Sequence, residues 1–324
     1  QVRWGHINRD YSLLTQAQSV MLDGHFVMEH GARSRSGRFF NFNGTAGIWR
    51  LEAITDAGGW QHDTLTEDLD LSYRAQMRGW RFVYLQDVVS PAELPVEMNA
   101  FKAQQQRWAK GSVQTCKKLL PRVLASALPA PVKIEAAFHL TANLAYPLMV
   151  LLAGLLFPAM VMRYNMGWHE MLIVDVPIFL AATASVCSFY VCSQKELFPD
   201  GWRTRVRVLP AVLGLGIGIS VNNAIAVIEG LFGPPTEFTR TPKYRIEAAG
   251  DEWRQKRYRG SVGWVPCVEL ALGLYFTVMA LYAIAYGLFG TLPFIALFQW
   301  GFLYTAGMSL FQSFDWLVPR EQEA

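Results

Sequence analysis

Two adjacent carboxylates stand at the start of a predicted helix. Glu67 and Asp68 follow Thr64 and precede Asp70. A carboxylate in this position is stabilised by the positive end of the helix dipole, and one that faces a cleft can accept a proton as a general base. The same residues also fit a capping box, in which the side chains of Thr64 and Glu67 cap the helix. Both interpretations stay open on these residues alone.

Asp68 and Asp70 also spell a DxD pattern, which often binds a metal ion. On a helix, however, the two side chains point about 200° apart, so this pattern predicts no metal site. The histidines form no HxxxH or HExxH pair, so a protein-bound zinc site is not expected either. The sequence contains no P-loop, GxSxG or dinucleotide-binding fingerprint.

An amide, a guanidinium and an indole recur at helical spacing further along the chain. Gln104, Arg107 and Trp108 fall on one face of a predicted helix. Arg binds phosphate oxygens through two parallel hydrogen bonds, and Trp offers an apolar face to a sugar ring and an N–H to a hydroxyl. These residues therefore suit a sugar-diphosphate site. The alternative is an amphipathic helix on a membrane surface, with Trp108 among the headgroups.

Two further segments could approach a ligand. Asn43, Gly44 and Thr45 lie in the run FFNFNGTAG, where small residues suit a turn whose backbone contacts a ligand. A plain loop explains this run equally well. The second segment, FTRTPK at 238–243, is by itself an ordinary basic loop.

Helices and a strand must position these side chains. Leu65, Leu69, Tyr73 and Met77 recur with helical period, and they predict a helix over 66–78 that leads into a strand. The predicted strand is RFVYL, residues 81–85, closed by Pro91. A second helix is predicted over 97–120, between Pro95 and Pro121. The first 134 residues thus have an α/β character.

The composition indicates a protein that is partly embedded in a membrane. Of the 324 residues, 52% are hydrophobic and 17% are charged, whereas soluble domains carry about 25% charge. Disorder, coiled coil and collagen are excluded. A net charge of +3 does not indicate nucleic-acid binding. The four cysteines lack metal-ligand spacing and predict no disulfide framework.

Four stretches without a charged side chain follow Glu135: 136–162, 176–194, 208–228 and 270–314. Each is long enough to cross a bilayer, and the last is long enough to form a hairpin that turns at GLFGTLP. The stretch at 208–228 differs from the others because it contains three glycines and two asparagines. The predicted spans are about 136–162, 172–194, 268–289 and 292–314.

The distribution of Lys and Arg indicates whether the stretch at 208–228 crosses the membrane. The segments 102–134, 195–207 and 239–260 are basic, and basic segments stay on the cytoplasmic side. If 208–232 crossed the membrane, the basic segment 239–260 would lie outside. We therefore predict that 208–232 is an interfacial helix. The alternative is a fifth span that breaks the charge rule.

Taken together and in this order, the motifs resemble a known family. FNGTAG at 42–47, TED at 66–68, QxxRW at 104–108, two apolar hairpins and FxxTPK at 238–243 resemble the membrane-embedded family 2 glycosyltransferases, typified by bacterial cellulose synthase and the mannan or glucomannan synthase-like proteins. The residues NGTAG…TEDLDLSYR are more similar to the mannan or glucomannan synthase-like branch than to cellulose synthase. The resemblance covers nearly the whole chain.

The resemblance implies a fold class and a division into domains. It implies an α/β catalytic domain of the GT-A type, of which residues 1–134 would be the C-terminal half, including the QxxRW interfacial helix. Residues 135–324 would form an α-helical transmembrane region with interfacial helices and a gating-type loop at 236–260. The nucleotide-binding half, with its DxD, would lie upstream in a segment of about one to two hundred residues, so we expect residues 1–324 alone to bind the donor poorly.

The resemblance also assigns roles to the residues of the two central motifs. Asp68 would be the general base on the acceptor hydroxyl, with Glu67 beside it. Arg107 would hold the donor diphosphate, Trp108 would stack on the acceptor sugar, and Gln104 would support that site.

The two loops would complete the site. The run with Asn43, Gly44 and Thr45 would form the acceptor side. The later loop would close over the nucleotide, although the usual pattern has Val where this chain has Arg240. Its assigned residues are Phe238, Thr241 and Lys243.

The activity implied is an inverting, processive transfer of sugar from a UDP- or GDP-sugar into a β-linked polysaccharide. A sibling interpretation is a non-processive enzyme that glycosylates a lipid such as a ceramide or a polyprenyl phosphate. An interpretation from another class of function is a transporter or channel subunit. It predicts ionisable or polar residues along a path, and the spans offer few such residues: His139, Asn143, Asp175 and Glu269.

The implied cofactor is a divalent metal, Mg²⁺ or Mn²⁺, bound mainly by residues upstream of this chain. The implied partners are a nucleotide-sugar donor, a growing glycan or lipid acceptor and the lipid bilayer. Accessory export subunits could join them, and no nucleic acid is expected. The implied location is a bacterial-type inner (plasma) membrane, crossed several times, with the catalytic part cytoplasmic.

Overall fold

The computed structural model describes most of the chain in atomic detail. Phe238 and Thr241, which belong to the predicted gating loop, lie outside the described residues. The described part of the chain comprises residues 1–168, 172–234, 236, 243–247, 250–251, 253 and 263–314.

The N-terminal part combines a small parallel sheet with helices. The first strand pairs in parallel with the second, placing Arg3 opposite Val89 and His6 opposite Ala92. A parallel pair needs a long crossover, and here residues 7–84 supply it with four helices. The elements are β1 (Val2–His6), α1 (Leu13–Gly24), a π-helix (His25–His30), α2 (Gly31–Arg35), α3 (Leu51–Asp56), α4 (Glu67–Met77), β2 (Leu85–Ala92) and α5 (Met98–Ala125).

The second strand corrects one prediction. The run 81–85 was expected to be the strand, but β2 spans Leu85–Ala92. Residues before Leu85 are held by aromatic packing instead: the rings of Phe82 and Tyr84 both lie against Phe40. Strand pairing starts only where β1 offers backbone partners, with the Leu85 N–H donating to the Gln1 carbonyl at 3.0 Å.

The helix α4 agrees with its prediction, but its cap does not. Its N-cap residue is Thr66, which makes no side-chain capping bond. The predicted capping box of Thr64 with Glu67 is therefore wrong, and within the described part of the chain the Thr64 hydroxyl is buried without a hydrogen-bond partner.

The long helix α5 continues beyond its predicted end. Pro121 was expected to terminate it, yet Pro121 lies inside the helix, which runs to Ala125. Proline removes one helical hydrogen bond and strains the turn before it. Leu119 and Val123 are both fully buried and belong to one apolar cluster with Leu140, so tertiary packing holds the last turn of the helix.

The C-terminal part is a helical bundle, and in the part of it that the structure describes four helices are long and apolar enough to cross a membrane. They are Ala130–Asn165, Ile173–Leu197, Val265–Ala285 and Phe289–Ser313, close to the four predicted spans. The first begins before its predicted start at 136, and Glu135 within it is paired with Arg33 at 2.7 Å. The elements are α6 (Ala130–Thr141), α7 (Ala145–Asn165), α8 (Leu172–Leu197), α9 (Trp202–Arg205), α10 (Leu209–Gly218), α11 (Ser220–Phe232), α12 (Val265–Ala285) and α13 (Leu292–Phe314).

The segment 208–232 is two helices rather than the single one predicted. The stretch ending at Gly218 meets α11 at 42°, and Ile219 at the bend is fully buried. Helix α10 lies very close to α13, since a Cβ at Gly301 would come within 2.3 Å of the Gly214 carbonyl oxygen. The bent pair could be a broken span, a re-entrant loop or an interfacial element, so its placement in the membrane stays a prediction.

Candidate active site

The candidate site forms where the first turn of α4 meets α5. A Cβ at Gly111 would stand 2.6 Å from Thr66 Cγ2 and 2.8 Å from the Thr66 nitrogen, so only glycine permits this approach. Two hydrogen bonds hold it: the Leu65 N–H donates to Gln114 Oε1 at 3.0 Å, and the hydroxyls of Thr66 and Thr115 lie 3.2 Å apart. The start of α4 is thereby fixed along α5.

This approach brings two carboxylates and one guanidinium together. Arg107 lies one turn before Gly111 on α5, and its charge interacts with those of Glu67 and Asp68. Burial lowers the pKa of Arg107, while the two carboxylates favour its charged form. Arg107, Gln104 and Trp108 are all half-buried, as side chains that line a cleft would be.

Asp68 has the protonation behaviour of a base that works near neutral pH. Burial raises its pKa and the neighbouring charge of Glu67 adds to this, so that the value reaches about 7. The Leu69 N–H, which donates to Asp68 Oδ1 at 2.8 Å, and the charge of Arg107 oppose the rise. A carboxylate with a pKa near the working pH can both accept and release a proton.

The turn at Gly44 faces this carboxylate. Gly44 has φ +70°, and a Cβ there would stand 3.2 Å from Asp68 Oδ2. Ser72 ties the two segments together, because its hydroxyl donates to the Asp68 carbonyl and accepts from the Phe42 N–H at 2.9 Å. Thr45 is exposed beside the turn.

Two predicted site residues have other surroundings. The Asn43 side chain contacts His25 and His30 instead of facing Asp68. Lys243 Nζ donates to the Glu93 carbonyl, at the connection between β2 and α5. Whether the loop before Lys243 closes over the site stays a prediction, since Phe238 and Thr241 lie outside the described residues.

Asp70 takes no part in the site. It is fully buried and pairs with Arg74 at 2.6 Å and with Lys118 at 2.9 Å. Its carboxylate is therefore committed to structure, and it cannot join Asp68 as a metal ligand. Among the described residues no three His, Cys, Asp or Glu side chains are grouped as a metal site, so the residues present do not fit a divalent metal.

The sequence analysis did not identify the residues that support the site residues. Gly111 is a glycine inside a long helix, which is a signal for close packing or function, and it could have been found. The roles of Ser72, Gln114 and Lys118 carried no such signal, because only the fold brings their partners near.

Comparison with known proteins finds one matching family model and several relatives. The family model described as glycosyl transferase family group 2 matches residues 6–190, more than half of the chain. Glucomannan 4-beta-mannosyltransferase 2 of Arabidopsis thaliana is 46% identical over 124 residues, which are 38% of this chain and 23% of that protein. Glucomannan 4-beta-mannosyltransferase 1 of Oryza sativa subsp. japonica is 45% identical over 124 residues, which are 38% of this chain and 24% of that protein. The matched part thus spans less than a quarter of the length of these relatives.

Proposed function

Since this chain belongs to glycosyl transferase family group 2, we propose that it carries the acceptor-activating part of an inverting, processive β-glycosyltransferase that builds a polysaccharide at a membrane. The observation that supports this most strongly is one cluster: Asp68 with its raised pKa, beside the turn at Gly44 and within the field of Arg107. Such a transfer needs a base, an open backbone turn for the acceptor and a cation for the leaving group.

Asp68 is the base in this proposal. As the acceptor hydroxyl oxygen attacks the anomeric carbon of the donor, its proton passes to the Asp68 carboxylate. The bond between that carbon and the diphosphate oxygen breaks, and the diphosphate leaves with the electron pair. Attack from the face opposite the leaving group inverts the configuration at the anomeric carbon.

Arg107 compensates the charge of the departing diphosphate. Glu67 keeps the guanidinium charged and oriented, and Gln104 and Trp108 extend the same helical face towards donor and acceptor. Phe238, Thr241 and Lys243 would close the site over the nucleotide. The described residues do not fit a divalent metal, so no step of this proposal passes through one.

We propose mannose as the transferred sugar. Support comes from the names of the relatives, which are 4-beta-mannosyltransferases of glucomannan synthesis, and GDP-mannose is accordingly the first donor to test. The bundle would hold the enzyme in the plasma membrane with the catalytic part cytoplasmic, as the basic segments favour.

A lipid acceptor is the second candidate, and a cavity favours it. A space of about 770 Å³ lies between the candidate spans and α10. Its walls are mostly apolar, with Leu152, Leu155, Phe179 and Phe298 among them. An apolar wall suits an acyl chain better than a hydroxyl-rich glycan.

The test uses the full-length protein in membranes with radiolabelled GDP-mannose, GDP-glucose or UDP-glucose, plus Mg²⁺ or Mn²⁺. Asp68→Asn and the exposed-site control His62→Gln are assayed in parallel. We expect alkali-insoluble labelled polymer from GDP-mannose, lost in Asp68→Asn and kept in His62→Gln. Label confined to the lipid extract would replace the polymer proposal with the lipid acceptor, and no transfer from any donor would contradict both.

A further inference from the structure

A chain of hydrogen bonds runs behind the turn at Gly44. His25 Nδ1 lies 2.8 Å from Glu29 Oε2, and His25 Nε2 lies 3.2 Å from Asn43 Nδ2. On the other side of the same amide, Asn43 Oδ1 lies 2.6 Å from His30 Nε2. Four side chains, Glu29, His25, Asn43 and His30, thus form one line, which we name the Asn43 relay.

A π-helix makes this line possible. Residues His25–His30 are wound with one extra residue per turn, between α1 and α2. The centroids of the two imidazole rings lie 4.2 Å apart, and both rings reach the single amide of Asn43. A π-helical turn inside an α-helix is rare, and such turns often occur at functional sites.

The hydrogen-bonding pattern indicates which ring nitrogens of the two histidines carry a proton. Asn43 donates to His25 Nε2 and accepts from His30 Nε2, so the remaining proton of His25 lies on Nδ1 and points to Glu29. His30 is fully buried, and burial holds its pKa well below the usual range, which keeps the ring neutral. The amide therefore has one orientation that satisfies both rings.

The relay acts on the residue next to Gly44. Asn43 also fixes its backbone, because its N–H donates to Gln1 Oε1 at 3.2 Å and its carbonyl accepts from the Thr45 N–H at 2.8 Å. With the side chain anchored as well, the turn has little freedom to rotate. Gly44 is the residue of that turn that stands against Asp68.

We propose that the Asn43 relay is a positioning device that sets the distance between the Gly44 turn and the Asp68 carboxylate, and so aligns the acceptor hydroxyl with its base. This inference rests on the proposed function. The histidines touch no reacting atom; they act through Asn43. None of the motifs that mark the site includes His25, Glu29 or His30.

The test compares His30→Leu, which removes the donor, with His30→Gln, whose amide N–H can replace it. We expect His30→Leu and Asn43→Ala each to lower kcat about 10-fold or more, because small misplacements of reacting groups cost large factors in rate. The KM for the sugar nucleotide should be unchanged, and His30→Gln should recover most of the rate. The double variant His30→Leu/Asn43→Ala should lose no more than either single variant.

The controls separate this inference from the proposed function. The exposed His62→Leu should keep the wild-type rate, and thermal melting in detergent should show that all variants are folded. A wild-type rate in His30→Leu, or losses that multiply in the double variant, would overturn the relay while leaving Asp68→Asn inactive as before.

A second measurement does not depend on activity. Amide hydrogen exchange at residues 43–46 should speed up in His30→Leu and in Asn43→Ala, but not in His62→Leu. If the wild type transfers no sugar, this measurement still decides the matter, since unchanged exchange in both variants would refute a positioning role.

Discussion

Asp68 depends on burial and two neighbouring charges for its properties as a base. Burial raises its pKa, the charge of Glu67 adds to this rise, and the charge of Arg107 lowers it. Asp70, only two residues away, has the opposite surroundings, because Arg74 and Lys118 neutralise it completely. Two carboxylates of one helical turn therefore receive different roles from the side chains that face them.

The first prediction concerns the pH dependence of transfer. The base must be ionised, so kcat/KM should rise with pH and level off above a pKa of about 7. Asp68→Asn should lower the rate about 10²- to 10⁴-fold on the plateau above pH 7, and by less at lower pH, where the wild-type base is protonated. A pH–rate profile of the wild-type enzyme in membranes measures this, and a profile that is flat between pH 5 and 9 would exclude Asp68 as the titrating base.

The stability of Asp68→Asn provides its control. The folded-state pKa of Asp68, about 7, lies above its ordinary value of 3.8. The folded protein therefore binds this proton more tightly, and its stability falls as the pH rises through that interval. At pH 8 the variant should be at least as stable as the wild type, so lost activity would not reflect unfolding.

Arg107 should act on both the donor and the base. Arg107→Gln removes a positive charge that favours the ionised Asp68, so the limb of the pH–rate profile should move to higher pH. Loss of charge compensation on the diphosphate should also lower kcat about 10²-fold. Steady-state kinetics across pH would reveal both effects. An unchanged apparent pKa in the pH–rate profile would mean that the charge of Arg107 does not influence Asp68.

At the scale of elements, the site depends on how closely α4 and α5 approach. Gly111→Ala adds a methyl group 2.6 Å from Thr66 Cγ2 and within 3 Å of the backbone. The helices must separate, so we expect a loss of about 1 to 3 kcal/mol together with a lower transfer rate. The matched control is Gly307→Ala in α13, where a Cβ meets no atom within 4 Å.

Thermal melting and transfer assays of both variants test this prediction. Gly307→Ala should stabilise slightly, by about 0.5 to 1 kcal/mol, because alanine favours the helix. Equal behaviour of the two variants would show that the close approach at Gly111 does not constrain the site.

A buried ion pair connects α5 to the bundle. Lys102 on α5 and Glu269 on α12 are almost fully buried and bonded to each other, and Asn222 of α11 donates to the Lys102 carbonyl at 3.0 Å. The helix that carries Arg107 is thus attached to two helices of the bundle.

Breaking this pair should cost more than breaking an exposed one. Lys102→Met leaves a buried charge alone, and we expect a loss of about 3 to 5 kcal/mol, partly recovered by Lys102→Met/Glu269→Gln. Asp175→Asn, which breaks the half-exposed pair of Asp175 with Arg163, should cost less than about 1 kcal/mol. Melting curves in detergent that rank the two single variants equally would contradict this view.

At the scale of the whole molecule, the question is on which side of the membrane each loop lies. Among the described residues there are four candidate spans, or up to five if the bent pair that includes α10 and α11 crosses the bilayer. With four spans, the basic loop after α11 lies on the same side as the candidate site. With five, it lies on the opposite side.

Cysteine labelling distinguishes these topologies. In a background without the four native cysteines, we expect Glu52→Cys and Glu247→Cys to react with a membrane-impermeant maleimide from the same side, and Gly290→Cys from the other. Both sides of a sealed vesicle are tested in turn. Labelling of Gly290→Cys from the same side as Glu52→Cys, with Glu247→Cys labelled from the other side, would establish the fifth span and would remove Lys243 from the site.

The amino-acid sequence by itself determined the family-defining motifs and the broad architecture. Carboxylates, a guanidinium and an indole at helical spacing marked Asp68, Arg107 and Trp108, and long uncharged stretches marked four spans. These features are local: helical period and charge-free length depend only on residues close along the chain.

The tertiary structure alone decided the rest. It placed the strand at Leu85–Ala92, where β1 offers partners, and carried α5 past Pro121 on buried apolar contacts. It paired Asp70 with two cations and left Asp68 with a raised pKa. The physical reason is that pairing, burial and charge balance depend on residues distant in the chain, and their partners become defined only when the elements pack.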